Sequence, residues 1–230
     1  MDELWLKLFD KAVTLIDSCA ISGTPLPKWT FGGGTVLYRQ FNHRYSRDID
    51  IFLTDAQYLS YFSPRLNPVS EEWMERGTGK YIEASHYLKI EINEPGCTGE
   101  IDFIIGPHLL DCYARPEEIN GRRVMIETPE EILAKKIFYR ADGFTARDVF
   151  DFSFLIERGH ADFMLDDIKT YGKKLIQIQQ RIADFRPRME DSFSKIDAKA
   201  YNPSFEQAVQ NLEDFLHIMK SRAGAAPVIK

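Results

Sequence analysis

Strand-like patterning is confined to the first part of this chain, and that division limits the folds open to it. The short alternating apolar runs all lie before residue 128: WTF, IDIFLT, YIEASHYLKIEINE, GEIDFIIG and RRVMIET. Alternation of this kind marks strands with one face buried and the other wet. From Pro129 onward the spacing is that of amphipathic helices, over 129–141, 146–158, about 161–186 and 203–221. Earlier helices are expected at 3–20, at 36–41 after a GGGT turn, and within 55–75, where Pro64 and Pro68 interrupt the pattern. SGTPLP at 22–27 reads as a loop, PGCTG as the turn of a hairpin between the two long alternating runs, and AGAAPVIK as a loose tail. Strands gathered before helices predict an α+β half, residues 1–127, followed by a helical half, residues 128–230.

Composition narrows the class of function. Hydrophobic residues at 44% and charged residues at 28% are those of a water-soluble globular protein. No segment approaches the ~20 apolar residues of a membrane span, and MDELWLKLFDKAV lacks the basic start of a secretory leader. Cys19, Cys97 and Cys112 show no metal-binding spacing and are expected as reduced thiols, so the expected setting is cytoplasmic. A net charge of −6 argues against non-specific coating of nucleic acid. Two local basic runs stand out against it. Arg39, His43, Arg44 and Arg47 have no acid among them, and six Lys or Arg lie between Lys169 and Arg188 with only Asp184. The plain reading of the second run, Lys169 to Arg188, is a solvated helix face, and its alternative reading is a modest hint toward RNA.

The carboxylates carry the chemistry. Asp48 and Asp50 flank Ile49 at the start of a strand, so both point the same way while Ile49 and Ile51 turn inward. Asp102 in EIDFII is placed likewise on a later strand. Two carboxylates plus substrate phosphates suit magnesium, and a third acid reaches the second ion of a two-metal phosphoryl-transfer site. Upstream, Gly33, Gly34 and Thr35 open a helix, where backbone N–H groups favour anions and glycine lets phosphate come close. A glycine turn alone is usually only a turn, and Asp-x-Asp alone is common on edge strands. The ordered set of turn, short helix, Asp-x-Asp and later acid is much rarer.

GGGTVLYRQFNHRYSRDIDIF resembles the opening motif of the nucleotidyltransferase superfamily, and specifically of the AbiEii/AbiGii toxin family, through Gly33, Gly34, Thr35, His43, Arg44, Ser46, Asp48, Ile49 and Asp50. Asp102 matches the family's later aspartate. EEILAKKIFYRADGFTARDVFD is similar to its third element, with Lys136, Arg140, Arg147, Asp148 and Asp151 at motif positions. Lys135 stands beside Lys136, so the active-site lysine is one of the two, and the motif register favours Lys136. By itself this segment reads equally as a capped helix with a solvated basic face. The resemblance covers residues 30–155.

It implies a mixed β-sheet with flanking helices, followed by a helical bundle that contributes Lys and Asp to the cleft. It implies transfer of a nucleoside monophosphate from a nucleoside triphosphate to an acceptor hydroxyl, with release of pyrophosphate. Asp48, Asp50 and Asp102 would hold magnesium, or manganese, and Asp102 would take the acceptor's proton. Gly33, Gly34 and Thr35 would bind the β and γ phosphates, and Lys136 would act on the triphosphate as a point charge. Asp148 would orient Lys136 or meet the acceptor, and Arg44 would face Asp50 or a phosphate. The implied setting is a toxin–antitoxin or phage-defence pair, with an antitoxin encoded nearby and tRNA as the first acceptor to test. The alternatives are adenylylation of a small molecule or protein, and a non-catalytic module that binds nucleotide or antitoxin.

Overall fold

The computed structural model describes residues 4–21 and 27–225. The expected SGTPLP loop lies mostly outside them, as does the end of the AGAAPVIK tail. The chain divides into two compact units, Met1–Gln40 with Ser46–Thr128, and Phe41–Tyr45 with Pro129–Lys230.

The first unit opens with helix α1 (Leu4–Ile21), then β1 (Trp29–Gly32), α2 (Gly33–Phe41), β2 (Ile49–Leu53), α3 (Gln57–Phe62) and α4 (Pro68–Glu75). Strands β3 (Gly79–Ala84), β4 (Tyr87–Glu94), β5 (Cys97–Ile105), β6 (Ala114–Ile119) and β7 (Arg122–Glu127) follow. They form one mixed seven-stranded sheet in the order β3-β4-β5-β2-β1-β7-β6. The β2–β5 and β1–β7 ladders are parallel, and β1–β2, β3–β4, β4–β5 and β6–β7 are antiparallel.

The inward half of each alternating run makes the core. Phe31, Ile49, Ile51, Leu88, Ile90, Ile101 and Phe103 are buried along with Leu8, Phe9, Leu15 and Ile16 of α1. Phe62 of α3 stacks on Phe103 with centroids 4.4 Å apart, and Phe9 meets Phe31 at 5.2 Å. Burial of such side chains is the main stabilising term, about 1.5–3 kcal/mol each.

Four local readings change. The helix after the glycine turn begins at Gly33 rather than Val36, because Gly33 takes φ +74° and turns the chain straight into it. The run YIEASHYLKIEINE is two strands, β3 and β4, turned at Ser85–His86, so the expected hairpin is a three-stranded meander. Strand β6 has no alternating signature in ARPEEI, yet it pairs along β7 across an Asn120–Gly121 turn in which both residues have positive φ. Pro68 does not break a helix but starts one, behind an Asn67 side chain that accepts from Val69 N–H.

The second unit holds α5 (Pro129–Arg140), α6 (Ala146–Glu157), α7 (Ile168–Asp184), α8 (Arg186–Ser194) and α9 (Phe205–Ala225). Short 3-10 turns at Ala141–Gly143 and Asp162–Leu165 divide them, so the expected helix over 161–186 is a 3-10 turn followed by α7. Pro187 lets the chain restart as α8, a helix not expected from the sequence. Phe150, Phe152, Phe154, Leu175, Ile178, Leu212 and Met219 are buried in this unit. The basic run over 169–188 divides its duties. Lys174 covers the Phe138 ring, Arg181 donates to Phe144 O, and Arg186 pairs with Glu206, while Lys169, Lys173 and Arg188 are exposed. Cys19, Cys97 and Cys112 are free thiols. Among the described residues no helix is long and apolar enough to cross a membrane.

Candidate active site

The acids of the sheet unit are assembled by register. Gly32 of β1 pairs with Asp50 of β2, Asp50 with Asp102 of β5, and Asp102 with Lys89 of β4. Partners across a ladder project from the same face, so these residues form one row across the sheet. Their neighbours Ile49, Ile51, Ile101 and Phe103 fill the opposite, buried face. Asp48 lies one residue before β2, and its Oδ1 accepts the Glu100 N–H at 3.2 Å.

Close carboxylates on a half-buried face repel one another. Burial, with the charge of Asp50 behind it, pushes the Asp102 carboxyl up to about 7. Its Oδ1 is buried and has no hydrogen-bond partner among the described residues, although Lys89 Nζ lies 3.7 Å from Oδ2. A buried oxygen left without a donor, in a row of acids, fits a divalent cation: hard oxygen ligands and missing positive charge are what such an ion supplies.

The glycine turn abuts this row. A Cβ placed on Gly33 would lie 1.8 Å from Asp50 Oδ2, so only glycine lets the turn approach the carboxylate this closely. Gly33, Gly34 and Thr35 are the first residues of α2, and the first N–H groups of a helix have no partner inside it. They are therefore available to an anion. The Thr35 side chain is fully buried and otherwise engaged: its hydroxyl donates to Asp48 O at 2.6 Å and lies 3.1 Å from Ser46 Oγ. Thr35 thus ties the helix start to the Asp-x-Asp strand through its side chain.

The third sequence element builds a separate buried charge cluster in the helical unit. Asp148 closes a capping box with Thr145 at the start of α6, which fixes its carboxylate. Lys136 Nζ, on α5, lies 2.6 Å from Asp148 Oδ1 and 3.0 Å from Asp151 Oδ2, and Arg140 reaches Asp148 at 3.2 Å. Of the two adjacent lysines, Lys136 is joined to Asp148, whereas Lys135 lies 3.5 Å from Glu131. Arg44, expected to face Asp50 or a phosphate, grips both oxygens of Asp151 through Nε at 2.6 Å and Nη2 at 2.8 Å. His43 Nε2 joins the same carboxylate at 2.9 Å. Burial would raise both aspartates. The charges of Arg44 and Lys136 instead hold Asp151 well below the usual carboxylate range, and Lys136 and Arg140 lower Asp148.

The rest of the central basic run is also accounted for within the sheet unit. Arg39 bridges to Glu117 at 2.6 Å and Arg47 donates to Thr98 at 3.1 Å. Lys89, Glu100 and Glu127 are the residues the sequence does not single out. Glu127 is buried at the end of β7, accepts the Thr30 hydroxyl at 2.7 Å, and has Gly32 packed against it. Glu100 and Lys89 carry a signal in hindsight, since alternation places both on the face of Asp102.

A family model described as nucleotidyl transferase AbiEii toxin, type IV TA system, matches residues 21–221. Two solved structures from Helicobacter pylori share the fold. JHP933 is 16% identical with a TM-score of 0.52, covering 96% of this chain and 94% of its own. A protein described as a nucleotidyltransferase is 15% identical with a TM-score of 0.54, covering 99% of this chain and all of its own. No curated protein matches the chain.

Proposed function

Because the chain belongs to the AbiEii nucleotidyltransferase toxin family of type IV toxin–antitoxin systems, we propose that it moves a nucleoside monophosphate from a nucleoside triphosphate to an acceptor hydroxyl on RNA. A tRNA end is the first acceptor to test, and magnesium is the proposed ion, with manganese a substitute. The observation that carries this reading is the row Gly32–Asp50–Asp102, which sets two acids beside a glycine turn and leaves one buried Asp102 oxygen without a hydrogen-bond donor.

Asp48, Asp50 and Asp102 are the proposed metal ligands. The ion, when bound, would neutralise the triphosphate and polarise its α-phosphoryl group. The N–H groups of Gly33, Gly34 and Thr35 would hold the β and γ phosphates at the start of α2. Asp102 would accept the proton of the attacking hydroxyl as the new oxygen–phosphorus bond forms and the bond to the leaving pyrophosphate breaks. Lys136 is assigned to the nucleotide's phosphates from its motif position, held in one orientation by Asp148 and Asp151. Arg44 and Asp148 are proposed to serve nucleotide binding through that lysine cluster rather than by direct contact. The family setting adds a cognate antitoxin as a partner.

The test is incubation with each α-labelled nucleoside triphosphate, magnesium and total RNA, followed by separation of RNA, protein and small molecules. Label on tRNA that vanishes in Asp50→Ala supports the reading. Label on protein or a small molecule, or none with any nucleotide, removes the RNA acceptor.

A further inference from the structure

Lys89 completes the acid row at its outer end. It stands directly across the β4–β5 ladder from Asp102, and exposed Ile82 of the edge strand β3 follows it. Glu100 lies two residues before Asp102 on the same face of β5. The Lys89 ammonium rests on the Glu100 carboxylate and stays 3.7 Å from Asp102 Oδ2. Asp102 is thus held by charge and not by a hydrogen bond: neither of its oxygens has a close donor from Lys89, and Oδ1 has no hydrogen-bond partner among the described residues. Glu100 is itself tied in through its N–H to Asp48 Oδ1. One lysine therefore serves both Glu100 and Asp102, in close contact with Glu100 and at longer ion-pair range from Asp102.

Here the flexible four-carbon stem can leave the ammonium on Glu100 while Asp102 turns toward another cation. Two cations near one carboxylate repel, so the ammonium and a divalent ion compete for Asp102. A nucleoside triphosphate brings enough negative charge to shift that competition toward the ion.

We propose that Lys89 is a tethered counter-cation that, held on Glu100 beside Asp102, weakens divalent-ion binding at Asp102 until nucleotide is present. It is a positioning residue, and the proposal rests on the reading of Asp48, Asp50 and Asp102 as metal ligands. It couples metal loading to nucleotide binding, so the acid row is not filled unproductively.

The experiment is a manganese titration of the full chain without nucleotide, read by loss of the free-ion paramagnetic resonance signal. Lys89→Met is expected to bind manganese about tenfold more tightly than the native chain, equivalent to about 1.4 kcal/mol. Lys89→Arg, which keeps the charge, is expected to bind as the native chain does. Addition of a non-hydrolysable nucleoside triphosphate analogue is expected to narrow the difference between Lys89→Met and native. Unchanged or weaker manganese binding in Lys89→Met overturns the proposal, as does a difference that survives the analogue in full. Asp50→Asn and Asp102→Asn separate the two readings. If they keep native manganese affinity, the metal site itself is wrong; if they lose it while Lys89→Met gains nothing, only the role of Lys89 falls.

Discussion

Replacing Gly33 by alanine tests the contact on which the site depends. The new Cβ would fall 1.8 Å from Asp50 Oδ2, 2.5 Å from Cγ and 2.9 Å from Cβ. Rotating the Asp50 side chain removes the first two overlaps but not the third, because Cβ moves only with the backbone. That backbone is held by the Gly32–Asp50 ladder pair, so β1 and β2 must separate locally. The φ of +74° adds about 1–2 kcal/mol for any residue with a Cβ, and the overlap about 1–3 kcal/mol, for a total of about 2–5 kcal/mol. Gly77 supplies the control: its φ is +68°, but nothing lies within 4 Å of its Cβ position. Gly77→Ala should therefore cost only the conformational part, about 1–2 kcal/mol, and leave nucleotidyl transfer intact. Displacement of Asp50 by about 1 Å should lower transfer by about 10²-fold in Gly33→Ala. Urea unfolding with a constant denaturant slope gives the stability difference, and labelled-nucleotide transfer gives the activity. Equal costs for the two alanines, or native transfer in Gly33→Ala, would refute the close approach of turn and carboxylate.

Two further outcomes concern the helical unit. Arg44→Met strands part of the Asp151 charge in a fully buried position and should cost about 3–5 kcal/mol in urea unfolding, with little rescue by Arg44→Lys, which lacks the paired donors. A loss under 1 kcal/mol would mean that Lys136 and His43 alone suffice. The second outcome follows from the depressed Asp151 carboxyl. Its contribution is present above the unfolded value, about 4, and is lost as pH falls toward the lower folded value. The stability difference between the native chain and Asp151→Asn should then be constant from about pH 8 to 5 and shrink only below about pH 4. Shrinkage already between pH 8 and 5 would contradict the ion pairing.

Much of the fold is legible because burial imposes a period. Ile49, Ile51, Ile101 and Phe103 alternate with Asp50 and Asp102, so the strands and their acid-bearing face follow from the residues alone. Strand β6 is not legible that way, since Arg115, Pro116, Glu117 and Glu118 are neither apolar nor strand-favouring; the Asn120–Gly121 turn is its one local signal. Ser85–His86 carries no glycine or proline, which hides the turn between β3 and β4. The fate of the central arginines is also illegible. Arg39, Arg44 and Arg47 look alike in sequence, yet one holds an edge strand, one a buried aspartate, and one the start of β5.

Which residue types could serve phosphate and metal is a local matter, because Asp-x-Asp, the glycine turn and the later aspartate are local patterns with local consequences. Their assembly needed the tertiary structure. Asp50 and Asp102 are 52 residues apart and become neighbours only through the parallel β2–β5 register, which is chosen by the apolar residues on the other face. The antiparallel β4–β5 register brings Lys89 to the row. Charge in a folded chain is read across strands, and one-dimensional spacing carries no record of which strand lies next to which.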